Sequence, residues 1–294
     1  MSQLIDVAAL ADLLGDPQLC LFDARFALEQ PHQGRYDYAA GHIPGARYLH
    51  LDEDLSARAV PGSTGRHPLP DAGVLQARLR RAGLNQTDQV VVYDAGAGLF
   101  AARVWWLLRW LGHTQVRVLD GGFKAWAEAG LPISQETPRP VSEGNFTGAP
   151  DNRKLMAAAD ILQRLDDSSL QLLDARAPVR FSGELEPIDP VAGHIPGAAN
   201  LPCIDNTGAD GLWLTPEHLA ARFRPWLARG TELVSYCGSG VTACHTILAA
   251  VEAGLPEPRL YAGSWSEWIT DPQRPIGRGP TVRDPVVRGP DASD

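Results

Sequence analysis

The chain is poor in cysteine, with four in 294 residues, at positions 20, 203, 237 and 244. That is too few and too scattered for a disulfide framework, so reduced thiols and a cytoplasmic location are expected. Basic side chains are also short, 26 Lys and Arg against 35 Asp and Glu, and the net charge of −9 argues against nucleic acid or an anionic membrane as the main partner. No apolar run approaches the ~20 residues that span a bilayer. The opening stretch MSQLIDVAALADLLGD carries Asp6 and Asp12 and no basic segment, so it reads as an amphipathic first helix and not a signal peptide. Nucleotide fingerprints are missing too: DAGAGLF has glycines but no lysine and no GxGxxG spacing. No CxxC pair occurs, and Cys237, Cys244 and His245 would sit on a helix at poor spacing for a metal. Neither a cofactor nor a metal is expected.

What is present is ordinary globular composition, 44% hydrophobic and 21% charged, at a length that suits two domains, each able to bury a core. The chain repeats itself. YAAGHIPGARYL (38–49) matches PVAGHIPGAANL (190–201), and the triplets ending at Arg25 and Arg176 precede them. VVVYDAGAG (90–98) parallels ELVSYCGSG (232–240), and LDGGFKAW (119–126) parallels YAGSWSEW (261–268). One order appearing twice, with a period near half the chain, means a duplicated domain. We expect domains at 1–140 and 150–277, a linker within 134–152 and a tail at 278–294. Short apolar β-prone runs alternate with helical patterns such as FAARVWWLLRWLG (100–112) and VTACHTILAAVEAG (241–254), each stopped by glycine. The expected fold is α/β, two mainly parallel sheets with helices on both faces. Trp105, Trp106 and Trp110 follow helical spacing and are expected in the core.

Cys237 stands where such folds place ligands, at the carboxyl end of a β run. Gly238 and Gly240 permit a tight turn, Ser239 and Thr242 add hydroxyls, and a helix follows. Inward N–H groups and the helix N-terminus there favour a thiolate, or an anion attached to the sulfur. The competing reading is a buried structural thiol. Aligning Tyr93 with Tyr236 sets Asp94 opposite Cys237, so the first half is expected to keep the turn and be catalytically inert. A phosphatase loop is excluded because Ala243, not arginine, stands six residues past the cysteine. Cys20, Cys203 and Cys244 default to packing, with a Cys237–Cys244 disulfide left open.

The paired GHIPGA segments, CGSGVTA and GSWSEW resemble the two-domain rhodanese-like sulfurtransferases over nearly the whole chain, most closely those that use 3-mercaptopyruvate. The resemblance implies a Cys237 persulfide that takes sulfur from a small donor and passes it to cyanide or a thiol, thioredoxin among the candidates. It also implies a relay of Ser239, His67 and Asp52, backbone contacts to substrate from Gly238, Gly240, Val241 and Thr242, and Arg180 on the donor's carboxylate. A second family arginine is replaced by Ile188. Uncharged Gly238 and Ser239 give a dianion no cation within the loop itself. Thiosulfate as donor, and a non-turnover sulfur carrier or redox sensor, are the alternatives. Arg25 and Arg176, present in both halves, read as scaffold.

Overall fold

In a computed structural model, residues 2–136, 142–227 and 230–280 are described; residues 281–294, most of the expected tail, lie outside them. The first half contains β1 (Leu4–Ile5), α1 (Val7–Leu13), β2 (Leu19–Asp23), α2 (Gln33–Ala40), β3 (Arg47–Tyr48), α3 (Ala72–Arg81), β4 (Gln89–Tyr93), α4 (Ala101–Trp110), β5 (Val116–Leu119) and α5 (Gly122–Glu128). The second contains α6 (Ala158–Gln163), β6 (Leu170–Asp174), α7 (Pro178–Ser182), β7 (Ala199–Asn200), α8 (Pro216–Phe223), β8 (Glu232–Tyr236), α9 (Ala243–Glu252), β9 (Arg259–Leu260) and α10 (Ser264–Trp268). The sheet orders are β1-β5-β4-β2-β3 and β7-β6-β8-β9, and every strand pairing is parallel. The expected first helix is shorter than its apolar pattern. Asp6 caps it by accepting the Ala9 N–H at 2.7 Å, and Leu4–Ile5 ahead of the cap pair with β5.

The repeated motifs build the same scaffold twice. Asp23 and Gly41 O hold the buried Arg25 guanidinium, and Asp174 and Gly193 O hold Arg176 in the same way. The Tyr93 hydroxyl accepts the Ile43 N–H and the Tyr236 hydroxyl that of Ile195, both at 3.2 Å. These ties fix the GHIPGA loop beside the central strand of each sheet.

Each half buries a cluster of its own, around Leu21, Val91 and Trp126 in the first and around Leu172, Val234 and Trp268 in the second, and a third cluster joins the two. The largest apolar cluster runs from Phe22, Val92 and Val118 on the first sheet, through α4 and α9, to Leu173, Leu233 and Leu260 on the second. Trp105 and Trp106 lie in it, fully buried. Both helices that follow the central strands are apolar nearly all round, which demands burial on both sides. The turns preceding α4 and α9 therefore meet near the junction of the halves. The described part of the linker also packs: Phe146 is buried in the shared cluster, and the Gly144 N–H donates to Arg80 O at 2.8 Å.

Candidate active site

Residues 237–242 turn the chain from β8 into α9. Gly240 has φ +79°, and a Cβ there would stand 2.2 Å from Ala262 O, so no side chain fits. From the other side α10 holds the turn: the Trp265 N–H donates to Cys237 O at 3.0 Å and that of Ser266 to Gly238 O at 2.9 Å. The Cys237 N–H donates to Ser264 Oγ at 3.1 Å. Ser264 sits at φ +55°, a conformation that costs a non-glycine residue on the order of 1 kcal/mol or more. Its counterpart in the first half is Gly122, at φ +57°. The hydroxyl that catches Cys237 is what this strained serine supplies.

Cys237 is 2% exposed. Its Sγ accepts one amide hydrogen bond, from Gly240 N at 3.1 Å. The expected ring of amides is thus a single contact to the sulfur. The N–H groups of Gly238, Ser239, Val241 and Thr242 have no acceptor among the described residues, so the turn holds donors that the bare sulfur does not use.

The three relay residues come together across the halves. His67 Nδ1 lies 2.7 Å from Ser239 Oγ, and His67 Nε2 lies 3.2 Å from Asp52 Oδ1. The carboxylate selects the tautomer with Nε2–H, leaving Nδ1 to accept the serine hydroxyl. The His67 hydrogen bond also holds the Asp52 carboxyl below its usual range. Asp52 is anchored through its backbone, whose N–H donates to His50 Nδ1 at 3.1 Å.

Arg180 stands over the turn. It is tied to Glu186 (Nη2 to Oε1, 2.8 Å) and to Asp189 (3.0 Å). Arg66, on the segment just before His67, stands there too and pairs with the other oxygen of Asp189. A Cβ on Gly238 would meet Arg66 Nη2 at 2.8 Å and the Arg180 guanidinium at 3.5 Å. Ile188, where the resemblance predicts an arginine, is 46% exposed. The loop's own sequence is uncharged, as read, but two cations overhang it from elsewhere in the chain. Arg66 adjoins His67 in sequence, but only a contact 123 residues away marks it as part of the site. Burial raises Asp189 above the usual carboxylate range despite both arginines, and Arg180 keeps Glu186 below it against the burial. A cavity of about 690 Å³ opens beside Asp52 and Arg66, lined also by Ser56, Arg58 and Arg78.

Burial pushes the Cys20, Cys203 and Cys244 thiols up to about 12, and all four cysteines are free. His245 does not point to a metal. Its Nδ1 contacts Asn206 at 3.1 Å, its Nε2 donates to Ala97 O at 2.8 Å, and Trp213 stacks on the ring at 4.0 Å. Among the described residues the trio His32, His50 and Glu53 brings ligand atoms within 4.8 Å of each other, but both His50 nitrogens are already hydrogen-bonded.

A cysteine on a strand-to-helix turn, backed by a Ser–His–Asp relay, is the outfit of a covalent group-transfer enzyme. Comparison with known proteins narrows the class. The rhodanese-like domain profile matches residues 6–129 and 157–271. The chain is 54% identical over 284 residues to the "Probable 3-mercaptopyruvate sulfurtransferase" of Pseudomonas aeruginosa, covering 95% of this chain and 99% of that protein. It is 41% identical to the "Putative thiosulfate sulfurtransferase SseB" of Mycobacterium tuberculosis, covering 94% and 97%. The crystal structure of SseA from Escherichia coli, a 3-mercaptopyruvate sulfurtransferase, superposes with a TM-score of 0.79 at 32% identity, covering 91% of this chain and all of that one. The chain belongs to the two-domain sulfurtransferases of the rhodanese-like family.

Proposed function

We propose that the enzyme takes sulfur from 3-mercaptopyruvate onto Cys237 and passes it to a small thiol or to cyanide. The Cys237 thiolate attacks the donor's sulfur, and the carbon–sulfur bond breaks with its electron pair left on the carbon as the pyruvate enolate. The donor's thiol proton goes to Ser239 and His67, Asp52 stabilising the imidazolium. That proton then returns to the enolate carbon, leaving pyruvate and a Cys237 persulfide anion. The N–H groups of Gly238, Ser239, Val241 and Thr242 receive that anion, and Arg180 with Arg66 hold the donor's carboxylate. An acceptor thiolate or cyanide then attacks the outer sulfur and restores the thiolate.

The observation that carries the donor assignment is His67 set between Ser239 and Asp52. Mercaptopyruvate brings a proton that must be moved; thiosulfate, ionised at neutral pH, brings none. Two guanidiniums and two carboxylates at Arg66, Arg180, Glu186 and Asp189 also sum to little net field for a dianion. Thiosulfate remains the second reading, favoured by the name of the mycobacterial relative. Thioredoxin as acceptor, a cytoplasmic setting, domains at 1–140 and 150–277, and a first half without turnover of its own complete the proposal. Among the described residues no helix is long and apolar enough to cross a membrane.

The test measures kcat/KM for both donors in the wild type and in Ser239→Ala. The relay predicts a loss of about 100-fold with mercaptopyruvate and only a few-fold with thiosulfate. Equal losses would defeat it. Intact mass should show one added sulfur after donor and its removal after acceptor; a sulfur that is never released leaves only a carrier.

A further inference from the structure

Arg103 is fully buried on α4, in the half that lacks the cysteine. The other buried arginines have acids: Arg25 pairs with Asp23, and Arg176 with Asp174 and Glu186. Arg103 has none among the described residues. Its Nη1 donates to Gly240 O at 3.1 Å, its Nη2 to His67 O at 3.2 Å, and its Nε has no acceptor. Burying a guanidinium without a counter-ion is unfavourable, and two carbonyls offset only part of that. The two carbonyls belong to the segments that carry the reacting groups. Gly240 is also the residue whose N–H reaches Cys237 Sγ.

The ionisable groups around that sulfur narrow the choice of counter-charge. Cys244, on α9, donates its thiol to Gly240 O at 3.4 Å, and burial pushes it up to about 12, so it stays neutral. Cys203, ahead of α8, is raised likewise to about 12. Arg66 and Arg180 face the turn from above and are already paired with Asp189 and Glu186. Burial lowers the basicity of Arg103.

We propose that Arg103 is the internal counter-charge of the Cys237 sulfur, lent by the inert half, stabilising the thiolate before transfer and the persulfide anion after it. This rests on the sulfur-transfer reading of Cys237. It makes Arg103 a positioning and electrostatic residue that need never touch substrate, and gives the duplicated half a role beyond scaffold.

The test reads the ionisation of Cys237 without any donor, so it stands apart from turnover. The pH profile of Cys237 alkylation by iodoacetamide is compared in wild type, Arg103→Lys and Arg103→Met, with reactions at the other thiols subtracted using Cys237→Ser. Loss of the cation in Arg103→Met should move the profile up by about one pH unit and slow alkylation about 10-fold at neutral pH. Arg103→Lys, which keeps the charge, should recover most of it. Unshifted profiles in variants that have lost activity would overturn the proposal while leaving sulfur transfer intact. Should Arg103→Met fail to fold, the wild type and Cys237→Ser decide. An anion stabilised in the fold makes the wild type gain stability on Cys237→Ser as pH rises toward the free-thiol value of ~8.5, and parallel curves would refute it.

Discussion

The turn after Tyr93 and the turn after Tyr236 share one backbone plan and differ in what fills it. In each, the following short helix donates two N–H groups back to the turn: Phe123 and Lys124 to Asp94 O and Ala95 O, and Trp265 and Ser266 to Cys237 O and Gly238 O. In the first turn the Asp94 carboxylate takes four backbone N–H groups, those of Gly96, Gly98, Phe100 and Ala101, at 2.8 to 3.2 Å. In the second the cysteine sulfur takes one and leaves four without partners among the described residues. The reason is reach. A carboxylate oxygen stands one bond beyond the atom attached to Cβ, and Sγ is that attached atom. The outer sulfur of a persulfide stands where the oxygen does. The first half therefore holds, as a permanent side chain, the charge and length that a persulfide on Cys237 would have. The comparison also separates scaffold from chemistry. Gly122 is replaced by Ser264, whose hydroxyl accepts the Cys237 N–H, and among the described residues the Ser239–His67–Asp52 contacts and the paired arginines lie at the second turn.

The hardest test of this contrast exchanges the two residues. Cys237→Ser should lower sulfur transfer at least ~1,000-fold, because the hydroxyl is not ionised at neutral pH. Asp94→Cys, carrying a thiol at the matching position without a relay, should create no transfer; turnover by Asp94→Cys in the Cys237→Ser background would mean that the turn alone suffices. A smaller effect is read in stability. Asp94→Asn, which turns an N–H donor toward backbone donors, should cost about 3 kcal/mol in urea unfolding. Cys237→Asp should raise stability above Cys237→Ala by satisfying the idle amides. If Cys237→Asp is no more stable, the two turns are not the same anion site.

Much of this is legible in the sequence alone. The apolar runs ending in Asp-Ala-Arg, the glycine-stopped helical stretches and the doubled GHIPGA placed the strands, helices and halves, because each is a local pattern read over a few residues. Cys237 and Ser239 are legible in the turn itself, His67, Asp52 and Arg180 only through the family resemblance, and the structure brings all five to one place. Arg66 and Arg103 are legible in neither. Arg103 lies in RVWW, a run that says only buried helix, and its acceptors are 36 and 137 residues away. The loss signalled by Ile188 was real locally, but a second guanidinium reaches the turn from the other half. Local pattern carries no information on such a pairing; the packing of α4 on α9 decides it.

That packing can itself be probed through His245, whose Nε2–H reaches Ala97 O in the Asp94 turn and so ties the two turns directly. Complete burial pushes the imidazole down to about 4 from its usual 6.5, because charging it would strand a cation between Trp213, Asn206 and a single carbonyl. The folded protein thus binds fewer protons here than the unfolded chain. The associated stability is complete above 6.5 and is lost as pH falls toward about 4. Between neutral pH and about pH 5 that loss should be on the order of 2 kcal/mol. His245→Gln retains a donor for Ala97 O but does not titrate, so its urea-unfolding free energy should fall less steeply over that range than the wild type's. Equal slopes would mean that the imidazole is already protonated in the fold, and that the junction between the turns is wetter than its burial indicates.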